Sequence, residues 1–417
     1  MIPFSKTRLV ASCNCVLLLI LVSCGGGGGG SDASSSTSRY LDYSKFREYM
    51  QPPVAGDPGD LRPVLSESGS GFDSDEVDGP SVVDHPSRPN GDRWMMWYEA
   101  TDAAGVISIG LVTSDEDDFA VLTIDRAQAV HPSDDPGLGA FDVGATDPTV
   151  VLDRRSTTPA SERYKMWFEG RSGAGGSVSQ IVYCDSADGI TWNNFTVCTG
   201  LTPGVDVSYG DRVQDPAVVL DQDSGGDLYR MWFEAVDEGG DGSGQIFYAD
   251  SADRISWIVR DAAGGVAIGA GPVITPGFGG VFSAFTVGAP SVFLVEDAID
   301  NNVAFHLWYT GGDVPTSQGT EDKIGYATSA DGLSWIQEAS LTPDFLPVLK
   351  PTSDSIPDPN TGLFEWDSGD VRQPSAWIDV DLMPTESGAF LLWYAGDVEN
   401  GGPNSPNRIG LARGRNP

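Results

Sequence analysis

Apolar residues in this chain come in short runs separated by Gly-, Asp- and Ser-rich stretches, and almost nowhere recur with the roughly 3.6-residue spacing of a helix. One run returns five times: Met95-Met-Trp-Tyr-Glu99, Lys165-Met-Trp-Phe-Glu169, Arg230-Met-Trp-Phe-Glu234, His306-Leu-Trp-Tyr-Thr310 and Leu391-Leu-Trp-Tyr-Ala395. Each is preceded by a short run opened by proline: Pro80-Ser-Val-Val, Pro148-Thr-Val-Val, Pro216-Ala-Val-Val, Pro290-Ser-Val-Phe and Pro374-Ser-Ala-Trp. Each is followed by Ile109-Gly-Leu, Ile181-Val-Tyr, Ile246-Phe-Tyr, Ile324-Gly-Tyr or Ile409-Gly-Leu. Proline is tolerated at the first residue of a strand. The runs are apolar on both faces, as strands are when neighbouring units cover both sides.

A turn follows the third run, at Ser186-Ala-Asp-Gly189, Ser251-Ala-Asp-Arg254 and Ser329-Ala-Asp-Gly332. Asp-Gly signals a two-residue hairpin, and a fourth strand is expected to start at Trp192, Trp257 or Trp335, with Phe119 in the degenerate first copy. Four strands repeated five times predict an all-β chain, a five-bladed β-propeller of four-stranded antiparallel blades. The last copy lacks its outer strand. Arg62-Pro-Val-Leu65 matches Gly271-Pro-Val-Ile274 and Leu346-Pro-Val-Leu349, so the N-terminal segment is expected to complete the last blade and cover its edge. The propeller is expected over residues 56–417.

Residues 1–24 read as a targeting segment rather than fold: Lys6 and Arg8 precede a short apolar run from Val16 to Val22. That run is too short to span a bilayer. Leu21-Val-Ser-Cys24 resembles the bacterial lipoprotein box, which implies lipidation at Cys24 and anchoring by that lipid. With no acidic residue directly after Cys24, the resemblance implies the outer membrane. Residues 25–55 open with Gly25 to Gly30 and a Ser/Thr stretch, a flexible tether and lead-in.

Composition narrows the partners. Lys and Arg number 24 against 60 Asp and Glu, a net charge of -36, which excludes the basic footprint of a nucleic-acid binder and favours a soluble monomer. Two cysteines lie in the expected propeller, Cys184 and Cys198, on consecutive predicted strands, so a cross-strand disulfide is expected after export, with two reduced, buried thiols as the alternative. The three histidines show no ligand spacing. Asp221 to Asp227 is oxygen-rich, but lacks the full spacing and terminal Glu of a calcium loop. No cofactor is assigned beyond that weak calcium candidate.

The residues before each strand-one proline break the fivefold repeat. They are Asp78-Gly79, Thr146-Asp147, Gln214-Asp215, Gly288-Ala289 and Arg372-Gln373. Strand two repeats the division, ending in Glu99, Glu169 and Glu234 but in Thr310 and Ala395. Acids therefore collect on the first three units, on the rim that carries the long Gly/Asp-rich loops. With these repeats the chain resembles the five-bladed propeller glycosidases of the arabinanase, levansucrase and invertase superfamily, including glycoside hydrolase family 43, over roughly residues 60–413. The resemblance implies an Asp base or nucleophile at Asp78 and a supporting Asp at Asp147. The third position, a Glu in that superfamily, is Asp215 here, with Glu169 or Glu234 as substitute acids. It implies hydrolysis of poly- or oligosaccharides. A non-catalytic surface propeller that binds carbohydrate or another partner is the alternative.

Overall fold

The computed structural model describes residues 63–415 except 86–92, 118, 120–121, 156–157, 223–227, 262–263, 265–269, 278–281, 298–301, 314–320, 338–346, 352–366, 379–386 and 399–405. The targeting segment, Cys24 and the tether lie outside the described residues, as does most of the calcium candidate, from Asp223 to Asp227.

The described chain is all-β apart from short 3-10 turns, and its strands follow one another as antiparallel meanders. The first meander is β1 (Glu76–Asp84), β2 (Trp94–Thr101), β3 (Ile107–Ser114) and β4 (Ile124–Val130); the second is β5 (Gly144–Leu152), β6 (Tyr164–Ser172), β7 (Val178–Ser186) and β8 (Asn193–Val197). The third is β9 (Arg212–Asp221), β10 (Leu228–Val236), β11 (Gly244–Ser251) and β12 (Ile258–Arg260); the fourth is β13 (Thr286–Asp297), β14 (Asn302–Gly312), β15 (Asp322–Ser329) and β16 (Ile336–Gln337). The fifth has β17 (Val371–Ile378), β18 (Ser387–Gly396) and β19 (Arg408–Arg415). The first two meanders touch through one parallel bridge, Ile107 to Gly144, and count as one eight-stranded sheet.

Residue alternation explains why both faces of each strand are apolar. On β2, Met95 and Trp97 pack with Tyr164 and Met166 of the second meander, whereas Trp94, Met96 and Tyr98 pack with Trp393 and Ile409 of the fifth. The repeated Trp97, Trp167, Trp232, Trp308 and Trp393 are all essentially inaccessible. At about 25 cal/mol per Å² over roughly 200 Å², each contributes on the order of 5 kcal/mol.

The Ser-Ala-Asp-Gly turns are longer than the two-residue hairpin expected, because they are built by side chains. Gly189 N donates to Ser186 Oγ at 2.9 Å, while Ile190 N and Thr191 N donate to Asp188 Oδ1 at 2.8 and 2.9 Å. The carbonyl that this geometry frees is used by the preceding meander. Trp97 Nε1 donates to Gly189 O, Trp167 Nε1 to Arg254 O, Trp232 Nε1 to Gly332 O and Trp393 Nε1 to Asp117 O, at 2.9 to 3.0 Å. The last of these joins the fifth meander to the first.

First strands are linked by a second set of bonds. The hydroxyls of Ser81, Thr149, Ser291 and Ser375, each just after its proline, accept from Val150 N, Val218 N, Ala376 N and Val82 N at 3.0 to 3.4 Å. Ala217, at the fifth such position, has no hydroxyl. Leu65 pairs with Ile409 of β19 as Ile274 pairs with Ile246 and Leu349 with Ile324, so the three Pro-Val-Leu/Ile segments occupy equivalent places.

The expected disulfide is corrected: Cys184 and Cys198 are free and buried. Cys184 faces the first meander's core and Cys198 the third's. They lie on opposite faces of one sheet, and Cys198 N bonds Ile181 O rather than the residue opposite Cys184. Burial pushes the Cys198 thiol up to about 12 and the Cys184 thiol well above its usual value.

Candidate functional site

The five residues directly before the prolines share one conformation. Gly79, Asp147, Asp215, Ala289 and Gln373 have φ of +48°, +49°, +50°, +42° and +49°. Left-handed backbone costs a non-glycine residue roughly 1–2 kcal/mol, and a following proline disfavours helical geometry further. Each sits in a β-bulge, where pairing with strand two slips between Asp78 and Ser81, Thr146 and Thr149, Gly288 and Ser291, or Arg372 and Ser375, and between Trp232 and Glu234 on the partner of β9. A bulge re-aims a side chain, and here all five residues converge on one cavity of about 40 Å³.

Asp147 and Asp215 are the acids of that ring. Asp147 Oδ1 accepts from Gln373 Nε2 at 2.8 Å, and Gly79 N donates to Gln373 Oε1 at 3.2 Å. Asp215 is hydrogen-bonded to Asp147 on one side and to Glu234 on the other. Burial, then the neighbouring acids, push Asp147 and Asp215 well above the usual carboxylate range. Glu234 is raised chiefly by burial, to about 7, although Gln214 and the Ala289 amide bond its Oε2 at 3.4 and 3.3 Å. Three neighbouring buried carboxyl groups cannot all ionise near neutral pH.

Glu169 is brought next to this cluster but held differently. Its side chain has no exposed area, and Arg171 and Arg212 grip its two oxygens at 3.0 and 2.7 Å. Against its burial, the two guanidinium groups bring it down to about 2. Thr146 Oγ1 sits between Asp147 Oδ2 at 2.6 Å and Glu169 Oε2 at 3.0 Å.

Asp78 falls outside that ring of five residues. It aligns with Thr146 and Gln214, one place earlier, because Gly79 occupies the bulge position of the first meander. Its carboxylate turns toward the fifth meander, where Arg372 Nη2 and Asn407 Nδ2 bond Oδ2 at 3.3 and 2.7 Å. The offset of Asp78 was visible in sequence; its destination was not.

Beside the ring lies a cavity of about 190 Å³, walled by Asp215, Glu234, Thr310, Asp322, Arg372 and Gln373 among others. It opens where Ala289 and Gly288 present almost no side chain. A larger space of about 720 Å³ lies beyond the prolines, but Asp84 is its one lining carboxylate and is ion-paired with Arg93. The acids therefore mark the smaller cavity as the candidate site. Sequence reasoning singled out Gln373 and Arg372 only as breaks in the acid pattern, and missed the Arg171–Arg212 grip and Asp322. Glu99 joins the first-meander side of the cluster, raised well above its usual value by burial and then by Asp147 and Asp78. Among the described residues no group of three or more acids, His or Cys is arranged to hold a metal ion.

No family model matches this sequence, and no curated protein matches it. Solved structures do match its fold. A glycosyl hydrolase from Bacteroides ovatus is 16% identical, with 85% of this chain and 92% of that one covered and a TM-score of 0.56. The alpha-L-arabinofuranosidase of Podospora anserina, solved with cellotriose, is 12% identical over 85% and 96% at a TM-score of 0.54. An N-acetylgalactosamine deacetylase from F. plautii, solved with blood group B trisaccharide, is 15% identical over 85% and 94%, also at 0.54. The fold of this chain is that of the glycosidase-like β-propellers.

Proposed function

We propose that the five meanders are the blades of a five-bladed propeller, and that its acid-lined mouth binds carbohydrate and hydrolyses glycosidic bonds. The observation that carries this reading is Glu234: a buried carboxyl group raised to about 7 in the wall of a cavity shared with Asp215 and Arg372. Glycoside hydrolysis needs one carboxyl group protonated and another ionised. In this reading Glu234 gives its proton to the leaving glycosidic oxygen as the bond to the anomeric carbon breaks. Asp78, ion-paired with Arg372, takes a proton from the water that adds to that carbon. Burial, the largest cause of its shift, keeps Glu234 from ionising early.

A second reading, a carbohydrate-binding propeller without turnover, is favoured by two observations. Gly79 stands in the ring where the next two meanders have an acid, and Asp215 interacts directly with both Asp147 and Glu234, whereas hydrolysis needs its two carboxyl groups held apart by roughly 5 Å or more. Aryl-glycosides and arabinan, xylan and fructan oligosaccharides distinguish the two. Turnover that Glu234→Gln lowers by about 100-fold or more, with binding retained, supports the enzyme. Binding without turnover, unchanged by Glu234→Gln or Asp147→Asn, supports the binder.

The N-terminal reading belongs to the same proposal: export, lipidation at Cys24, and a tethered monomer at the outer membrane. Labelling with a fatty-acid probe should mark the wild type and spare Cys24→Ser, which should move to the soluble fraction.

A further inference from the structure

We infer that Asp322 is a recognition residue of the mouth cavity, and that it takes a hydroxyl group of a non-anionic sugar ring. The inference rests on the carbohydrate reading above and adds to it the ligand's charge class and the residue that selects it.

Asp322 opens β15, and its backbone amide is committed to Asp370 Oδ1 at 2.7 Å. Asp322 lines the 190 Å³ cavity, and among the described residues its buried Oδ1 has no hydrogen-bond partner. Five other carboxyl groups at the mouth have partners: Asp78 has Arg372 and Asn407, Asp147 has Gln373, Asp215 has Gln214, Glu169 has two arginines, and Glu234 has Gln214 and the Ala289 amide. A buried acceptor left bare costs about 1–3 kcal/mol, and more when charged. Such a cost persists in a cavity wall when a ligand donor meets it.

The remaining wall says which donor. Arg372 lines the same cavity and can only donate, while Asp322 in its ionised form can only accept. A sugar with neighbouring hydroxyls satisfies both, donating to Asp322 from one and accepting from Arg372 at the other. A carboxylate-bearing sugar does not fit: Asp215, Glu234 and Asp322 face the space, and the one guanidinium is already engaged by Asp78. At about 190 Å³ the cavity is below the roughly 300–1,000 Å³ of drug-sized sites, so it admits a single ring.

The test is calorimetric titration of the whole chain with methyl glycosides of xylose, arabinose, galactose and glucose, their single-deoxy analogues, and methyl glucuronide and galacturonide. At least one neutral glycoside should bind, and one deoxy position should weaken it by about 10- to 100-fold, the value of a hydrogen bond to a charged group. Asp322→Asn should reduce that loss to under about 3-fold with the melting temperature unchanged or raised, because no protein bond is removed. Asp322→Ser serves if the amide variant misfolds. Retention of the full deoxy penalty in both variants, or equal binding of uronides and neutral glycosides, overturns the inference while leaving carbohydrate binding in place. Failure of the wild type to bind any of these sugars overturns both.

Discussion

Glu169 and Glu234 end the same strand repeat, yet their neighbours drive them in opposite directions. Glu234, raised to about 7, binds a proton in the folded state that the unfolded chain has released above about pH 4.5. Its contribution is therefore present below pH 4.5 and lost as pH rises toward 7, by about 3 kcal/mol if it acted alone. Asp147 and Asp215 act with the same sign. Glu169, lowered to about 2, contributes above pH 4.5 and loses that contribution as pH falls toward 2. Thermal melts across pH 4 to 8 should show stability falling with rising pH, with a slope shallower by about one proton in Glu234→Gln. A slope identical to wild type would refute the shift. Removing one partner of the grip with Glu169→Gln should cost about 3–5 kcal/mol by taking from Arg171 its ion-pair partner and leaving Arg212 only the exposed Glu238, measured by urea unfolding. The sequence reveals that both glutamates share a rim. It cannot reveal their charges, since Arg171 and Arg212 are separated in sequence and meet only through packing. Asp322 is hidden because its counterparts in the repeat, Ile107, Ser179, Gly244 and Asn407, are not acids, and only its unpartnered oxygen marks it.

Strand recurrence was legible because a Trp-aromatic pair in a short apolar run has few alternatives to a buried strand. Strand faces were not, and the Cys184–Cys198 bridge failed on that point: consecutive strands were anticipated correctly, but the residues point to different cores. Turn chemistry was half legible. The Asp of each Ser-Ala-Asp turn binds backbone amides beyond the next residue, lengthening the loop and presenting a carbonyl to the preceding tryptophan. The turn of the third meander uses Arg254 where the other two use glycine, at φ +79°, with its guanidinium paired to Glu162 at 2.7 Å. The hydroxyl series offers a constructive test. Ala217→Ser should give the Val292 amide the acceptor that its counterparts have, adding about 1 kcal/mol of stability. Ser291→Ala should remove a similar amount. Chemical denaturation of the two variants checks both signs, and a destabilised Ala217→Ser would show that the series is not additive.

Across the whole molecule the net charge of -36 opposes compaction. Melting temperature should rise between 10 mM and 0.5 M sodium chloride as screening shortens the range of repulsion from about 30 Å to a few ångströms. Leu65 is buried, and its contact with Ile409 carries the N-terminal segment onto the last meander. Leu65→Ala should cost about 2–5 kcal/mol, the range for a core leucine, measured by urea unfolding. That junction has a further consequence. Its pairing is the same kind that Ile274 and Leu349 make inside the chain, and Trp393 meets the first meander as Trp97 meets the second. The junction between the first described segment and the last meander is built from the same pairings as the junctions within the chain. A circularly permuted chain, opened at another Pro-Val-Leu/Ile seam and rejoined by a linker at the original one, should therefore fold with its mouth intact.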